Sequence, residues 1–198
     1  MVPVRYEDFD QGTIEALLAP YYALNNVDMV VTVSMGRKDF DLERFPGKRR
    51  SVTAPDNLNV LSGGSKAKPM IAKLHDTPLP GKEFVLFSLP VEQMKLATGP
   101  YKIIDNHKVT SIAKSGEPET IEPYSLSQLD GHIAVSGSGG GYLSNGISYR
   151  SIRLRDKLNS NIPTGHIHTP RIQQYEPEIE EKIVTQIRAM LEKSLVAI

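Results

Sequence analysis

At 198 residues the chain is long enough for one medium-sized domain with a sizeable core, and short for two. Its 23 basic and 23 acidic residues cancel, so no overall field draws it to nucleic acid or to an anionic membrane. It has no cysteine, which excludes a disulfide framework, a thiolate zinc site and a cysteine nucleophile.

No apolar run approaches the roughly 18 residues of a membrane span, and no secretory pattern opens the chain, so the expectation is a soluble, cytoplasmic protein. In chain order, the first helix is predicted over 11–24, with Asp10 as its cap and Ile14, Leu17, Leu18 and Tyr21 on one face. The β-branched run 27–33 (VDMVVTV) reads as a buried strand. The basic stretch GKRR at 47–50 is too short for a binding patch and reads as a solvated loop. A second strand is predicted at 83–90, with a helix after Pro90.

Residues 99–130 break the alternation: two short strands around Asp105-Asn106 and a polar loop suggest an inserted hairpin, too poor in apolar residues for a core of its own. Strand 131–137, helix 142–155, strand 164–170 and a striped helix at 177–196 complete the chain. Strands alternating with helices predict a single domain over 1–198, a three-layer α/β/α sandwich with a mostly parallel central sheet. In such sheets ligands bind beyond the carboxyl ends of the strands. Both the 142–145 turn and the end of strand 164–170 belong there.

The glycine-dense segment SGSGGGYLSNG (136–146) lacks the Gly-Lys-Ser/Thr ending and the spacing of a phosphate loop. Tyr142 and Gly146 stand two positions before and after Ser144, so it also departs from the nucleophile elbow G-x-S-x-G. Ser144 therefore fits a helix cap as well as a nucleophile beside closely approaching backbone N–H groups. His166 and His168 alternate along a strand and share a face. A His-x-His pair can begin a metal site, but no third ligand stands at a telling spacing, so neither metal nor cofactor is expected. A base for Ser144 needs only a strand end beside the serine turn.

Several short motifs, in order, are similar to those of the pyroglutamyl peptidase I (pyrrolidone-carboxylate peptidase) family. SGGGYLSN (138–145) resembles S-A-G-x-Y-x-C-N, and GHIHTP (165–170) resembles G-F-I-H-V-P. RKDFDLER (37–44) resembles R-x-x-I-x-x-E-R, PDN (55–57) falls at I-P-D-N, and FSLP (87–90) at S-x-L-P. The resemblance covers about residues 2–98 and 131–197. It implies a phosphorylase/hydrolase-like sandwich and a Ser144-His168-Glu43 arrangement in place of Cys-His-Glu, acting on a small peptide or acyl-amide substrate. It also implies a substrate pocket near Tyr142, Leu143, Asn145, His166, Arg37 and Thr53.

The departures are equally specific. Serine replaces the family's cysteine, Thr53 stands where the family has an arginine, and VSMGR (33–37) is shorter than G-Q-A-G-G-R. The family's first strand, with its ring-sandwiching aromatics, has no counterpart. These differences favour a divergent substrate. They leave open a catalytically inactive binding or assembly module, an engineered cysteine-to-serine form, or a second chain that supplies the missing loop. An open sheet edge predicts a homo-oligomer.

Overall fold

The computed structural model describes residues 1–113 and 116–198. Two helices, α1 (Tyr6–Asp10) and α2 (Thr13–Leu24), lead into β1 (Val30–Met35) and β2 (Phe40–Glu43). Four two-residue strands follow: β3 (Arg49–Arg50), β4 (Met70–Ile71), β5 (Lys73–Leu74) and β6 (Thr77–Pro78). After α3 (Val91–Met94) come β7 (Ile103–Asn106), β8 (Val109–Ile112) and β9 (Glu119–Ile121). β10 (Ile133–Ser136), α4 (Leu143–Lys157), β11 (Thr164–Thr169) and α5 (Pro177–Leu195) complete the order.

The central sheet runs β1-β11-β2-β7. It is mostly parallel: β1 with β11 and β2 with β7 are parallel, and the join between β11 and β2 is antiparallel. The two-residue period of a strand sorts its side chains. Phe40, Leu42 and Ile167 enter one apolar cluster with Val91 and Met94 of α3 and Ile183 and Met190 of α5. Val30 packs instead with Tyr22 of α2 and Leu154 of α4. Helix α5 begins with Pro177, carries Glu178 and Glu180 in its first turn and Lys193 in its last, so its charges complement its dipole. No helix among the described residues is long and apolar enough to cross a membrane.

Five local expectations are revised. The GKRR stretch at 47–50 is not a solvated loop: Arg49 and Arg50 form β3, and Arg50 is buried. Asp10 does not cap α2, whose N-cap is Gly12 at φ +79°. The Asp10 carboxylate instead takes Arg50 Nη2 at 2.5 Å and Arg150 Nη2 at 3.4 Å, because buried guanidinium groups require a counter-charge. Residues 83–90 form no regular strand: the amides of Val85 and Phe87 donate to Pro46 and Arg44, whereas that of Ser88 donates to Thr164. Partners divided between two elements leave no continuous ladder.

β10 joins β8 in a separate three-stranded antiparallel sheet, β10-β8-β9, and not the central one. Within 99–130 the strands flanking Asp105-Asn106 do not pair with each other. β7 extends the central sheet and β8 forms its hairpin with β9. Asp105 is occupied by Arg44 at 3.4 Å and by His107 at 2.9 Å. Lys114 and Ser115, inside the expected insertion, lie outside the described residues.

Candidate active site

The polar counterpart of the apolar strand face builds the site. Asp41 and Glu43 alternate with Phe40 and Leu42 along β2, and His166 and His168 flank Ile167 along β11. The register sets His168 against Asp41 on one side and against Ser34 of β1 on the other. Glu43 is fully buried. Its Oε1 lies 2.6 Å from Nδ1 of His168 and 3.9 Å from Nε2 of His166. The contact with His168 is an ion-pair approach; neither Glu43 oxygen has a well-aligned hydrogen-bond donor among the described residues.

The two histidines differ in environment. His166 has no exposed surface, and its ring nitrogens meet Thr32 Oγ1 and Ser34 Oγ, each at 2.8 Å. Burial pushes its pKa down to about 4, against the pull of Glu43, so it is neutral at physiological pH. For His168, burial opposes the charged form, but the adjoining Glu43 carboxylate and the charge of Asp41 outweigh it and raise the pKa. Burial likewise raises the Asp41 pKa, countered in part by His168.

The glycine run owes one position to this pair. A Cβ on Gly139 would sit 2.0 Å from Glu43 Oε2, so only a residue without a side chain lets the loop close over the carboxylate. Gly36 is constrained in the same way, its Cβ position falling 2.7 Å from Cβ of His168.

The residues expected in the site separate into groups. Ser144 is the second residue of α4, half-buried, and makes no side-chain hydrogen bond, to His168 or any other group, among the described residues. Asn145 is buried and committed to the backbone of Gly47, accepting from its N–H at 2.9 Å and donating to its carbonyl at 2.7 Å. Leu143 lies in a cluster with Tyr6, Phe9 and Ile14. Tyr142 stacks edge-on against Tyr6 and donates to the Pro55 carbonyl at 2.7 Å. Thr53 is exposed. Arg37 is exposed and borders the cavity described next.

A cavity of about 700 Å³ opens beside His168. Its walls include Asp41, Ser51, Ser138, the glycines of the 137–141 loop, Arg37, Lys66 and Lys108. Asp41 could have been found from sequence, since it stands two residues before Glu43 on a strand and must share its face. Ser51, Lys66 and Lys108 carry no such local pattern. Only the folded chain brings their segments together.

Glu43, His166 and His168 offer potential metal-ligand atoms within 4.8 Å of one another. Both His166 nitrogens are engaged by hydroxyls, and Glu43 already faces a histidine at ion-pair distance. The His166 nitrogens are thus already engaged, whereas the buried Glu43 oxygens lack an aligned donor and face His168 as a charge partner, an arrangement that can hold a proton.

The architecture is that of the pyrrolidone carboxyl peptidases. The chain superposes on the enzyme from the hyperthermophile Pyrococcus furiosus with a TM-score of 0.63 and 16% identity, covering 99% of this chain and 80% of that one. A variant of the same enzyme gives a TM-score of 0.57 and 18% identity over the same shares. By sequence, residues 100–173 match the family described as PA0049, C-terminal domain, a span that contains Ser144 and His168 but not Glu43. The uncharacterized protein PA0049 of Pseudomonas aeruginosa is 50% identical over 42 residues, 21% of this chain and 8% of that protein. The chain therefore aligns with only a small part of that relative's length.

Proposed function

We propose that this chain is a pyroglutamyl-peptidase-like acyl or amide hydrolase in which Ser144 is the nucleophile, His168 the general base and Glu43 the group that orients it. The supporting observation is the buried contact of Glu43 Oε1 with Nδ1 of His168 at 2.6 Å, on a histidine that also borders a cavity. In the proposed neutral state Nδ1, which faces Glu43, carries the proton and Nε2 accepts one. In the proposed reaction Ser144 Oγ attacks the carbonyl while its proton passes to His168 Nε2. That proton then goes to the leaving amine, and water attacking by the same route releases the acid and restores the serine. Catalytic hydrogen bonds tighten on substrate binding, so the free chain need not hold Ser144 against His168.

The 137–141 loop and the start of α4 would supply backbone donors for the oxyanion. Tyr142, Leu143, Asn145, His166 and Thr53 act in this proposal through the shape and rigidity of the surroundings, and Arg37 through the cavity wall. The substrate is a small peptide or acyl-amide other than a pyroglutamyl peptide, because Thr53 cannot replace an arginine's charge. Self-association belongs to the same proposal: among the described residues β1 pairs with β11 alone, and its Val33 and Met35 are 46% and 59% exposed.

A second proposal, a ligand-binding module without turnover, is favoured by one observation: Ser144 makes no side-chain hydrogen bond among the described residues. Assays of acyl- and aminoacyl-coumarin amides separate the two. The hydrolase predicts turnover on part of such a panel, little or none on pyroglutamyl-coumarin, and a loss of about a hundredfold or more in Ser144→Ala and His168→Ala. Absence of turnover on every amide would leave the binding module. Efficient pyroglutamyl release that Ser144→Ala abolishes would instead restore the relatives' specificity.

A further inference from the structure

We propose that the cavity beside His168 takes a carboxylate-bearing ligand, held by Arg37, Lys66 and Lys108; resting on the hydrolase proposal for that same cavity, this ligand is the acidic part of the substrate.

The chain as a whole is neutral, yet this cavity is not. Three cations line it, from three separate segments: Arg37 after β1, Lys66 in the connection from β3 to β4, and Lys108 between β7 and β8. All three are exposed, and none makes an ion pair or a side-chain hydrogen bond among the described residues. Other basic groups nearby are engaged: Arg49 forms two hydrogen bonds with Glu83, and Arg50 lies against Asp10. Against the three cations the walls offer one carboxylate, Asp41, directly opposite His168 in the strand register. Glu43, the remaining nearby acid, is sealed beneath Gly139 and does not reach the cavity.

Like charges converging on one concavity raise its potential and attract an anion more strongly than scattered surface charges do. A volume of about 700 Å³ matches the size of a small-molecule site. Arginine adds a planar fork that suits a carboxylate, and the lysines add point charges on flexible stems that adapt to it.

The test is calorimetric titration of the full chain carrying Ser144→Ala, which binds without consuming, using glutarate, its neutral analogue glutaramide and inorganic phosphate. Glutarate should bind about tenfold more tightly than glutaramide, a ratio that a few solvent-screened ion pairs supply. The preference should shrink at high salt. In the Arg37→Gln, Lys66→Gln, Lys108→Gln triple variant it should disappear with the unfolding midpoint unchanged, since all three side chains are exposed. Equal binding of glutarate and glutaramide overturns the proposal, as does a preference that survives the triple variant. Tighter binding of phosphate than of glutarate overturns the carboxylate assignment. Turnover by the unsubstituted chain is measured separately. Hydrolysis of neutral and acidic amides at equal rates overturns this inference and leaves the hydrolase standing. A glutarate preference without hydrolysis of any amide ends the hydrolase proposal and retains the carboxylate site.

Discussion

His166 and His168 stand two residues apart on one strand and titrate in opposite senses. His166 is neutral in the folded chain because burial holds its pKa at about 4, whereas in the unfolded chain it takes a proton near 6.5. Between those values the unfolded state binds more protons, so stability rises with pH through this window and is lost as pH falls through it. The difference is on the order of 3 kcal/mol. His168 behaves oppositely: its raised folded pKa contributes stability below about 6.5 that is lost as pH rises through the folded value. Urea unfolding at pH 7 and pH 4 should therefore show a smaller acid loss in His166→Gln than in the unsubstituted chain, since glutamine can still meet Thr32 and Ser34 without titrating. Identical losses in the two chains would remove the neutral-His166 assignment. Gly139 permits a second test. Gly139→Ala places a methyl 2.0 Å from a buried carboxylate oxygen, and displacing Glu43 should lower stability by about 1–3 kcal/mol. It should also move the His168 titration down, as read from its ring protons by NMR, and an unmoved titration would detach Glu43 from His168.

At the scale of elements, α1, α2, α4 and β3 are joined by charge as much as by apolar contact. Arg150 of α4, 1% exposed, meets Glu15 of α2 at 2.9 Å and Asp10 of α1 at 3.4 Å, and Arg50 of β3 meets the same Asp10. Removing one partner of such a group leaves a buried charge uncompensated, at a cost of roughly 3 kcal/mol. Asp10→Asn should lower the unfolding free energy by about that amount, and a change within about 0.5 kcal/mol would show the network to be solvated. Two helices were legible from local pattern: α5 formed where its apolar stripe predicted it, and α4 where a helix was expected after the glycine run. Asp10 was not, because a short acid before a helix looks like a cap whenever the distant arginines that claim it are out of view. The segment 83–90 was apolar enough for a strand, but ladder formation depends on which neighbours lie alongside, and here they are two different elements.

The proposed self-association belongs to the scale of the whole molecule. β1 is an edge of the central sheet and presents Val33 and Met35. Edge strands of this kind pair readily with another chain unless a charge blocks them. Light scattering should find a dimer at micromolar concentration, and Val33→Lys should return it to a monomer without loss of helical circular dichroism. A monomer at every concentration would end the proposal of self-association.

The sequence by itself determined the period-two sorting that places His166 with His168 and, equally, Asp41 with Glu43, because side chains on a strand alternate whatever the strand pairs with. It also determined the glycine run before α4, since a missing Cβ is a local property. Only the tertiary structure decided that β7 leaves its expected hairpin for the central sheet and that β10 leaves the central sheet for β8. It alone brought Arg37, Lys66 and Lys108 to one cavity. Strand partners, buried counter-charges and cavity walls are chosen among residues far apart in the chain, and the energies that choose them act across space, where sequence spacing carries no information.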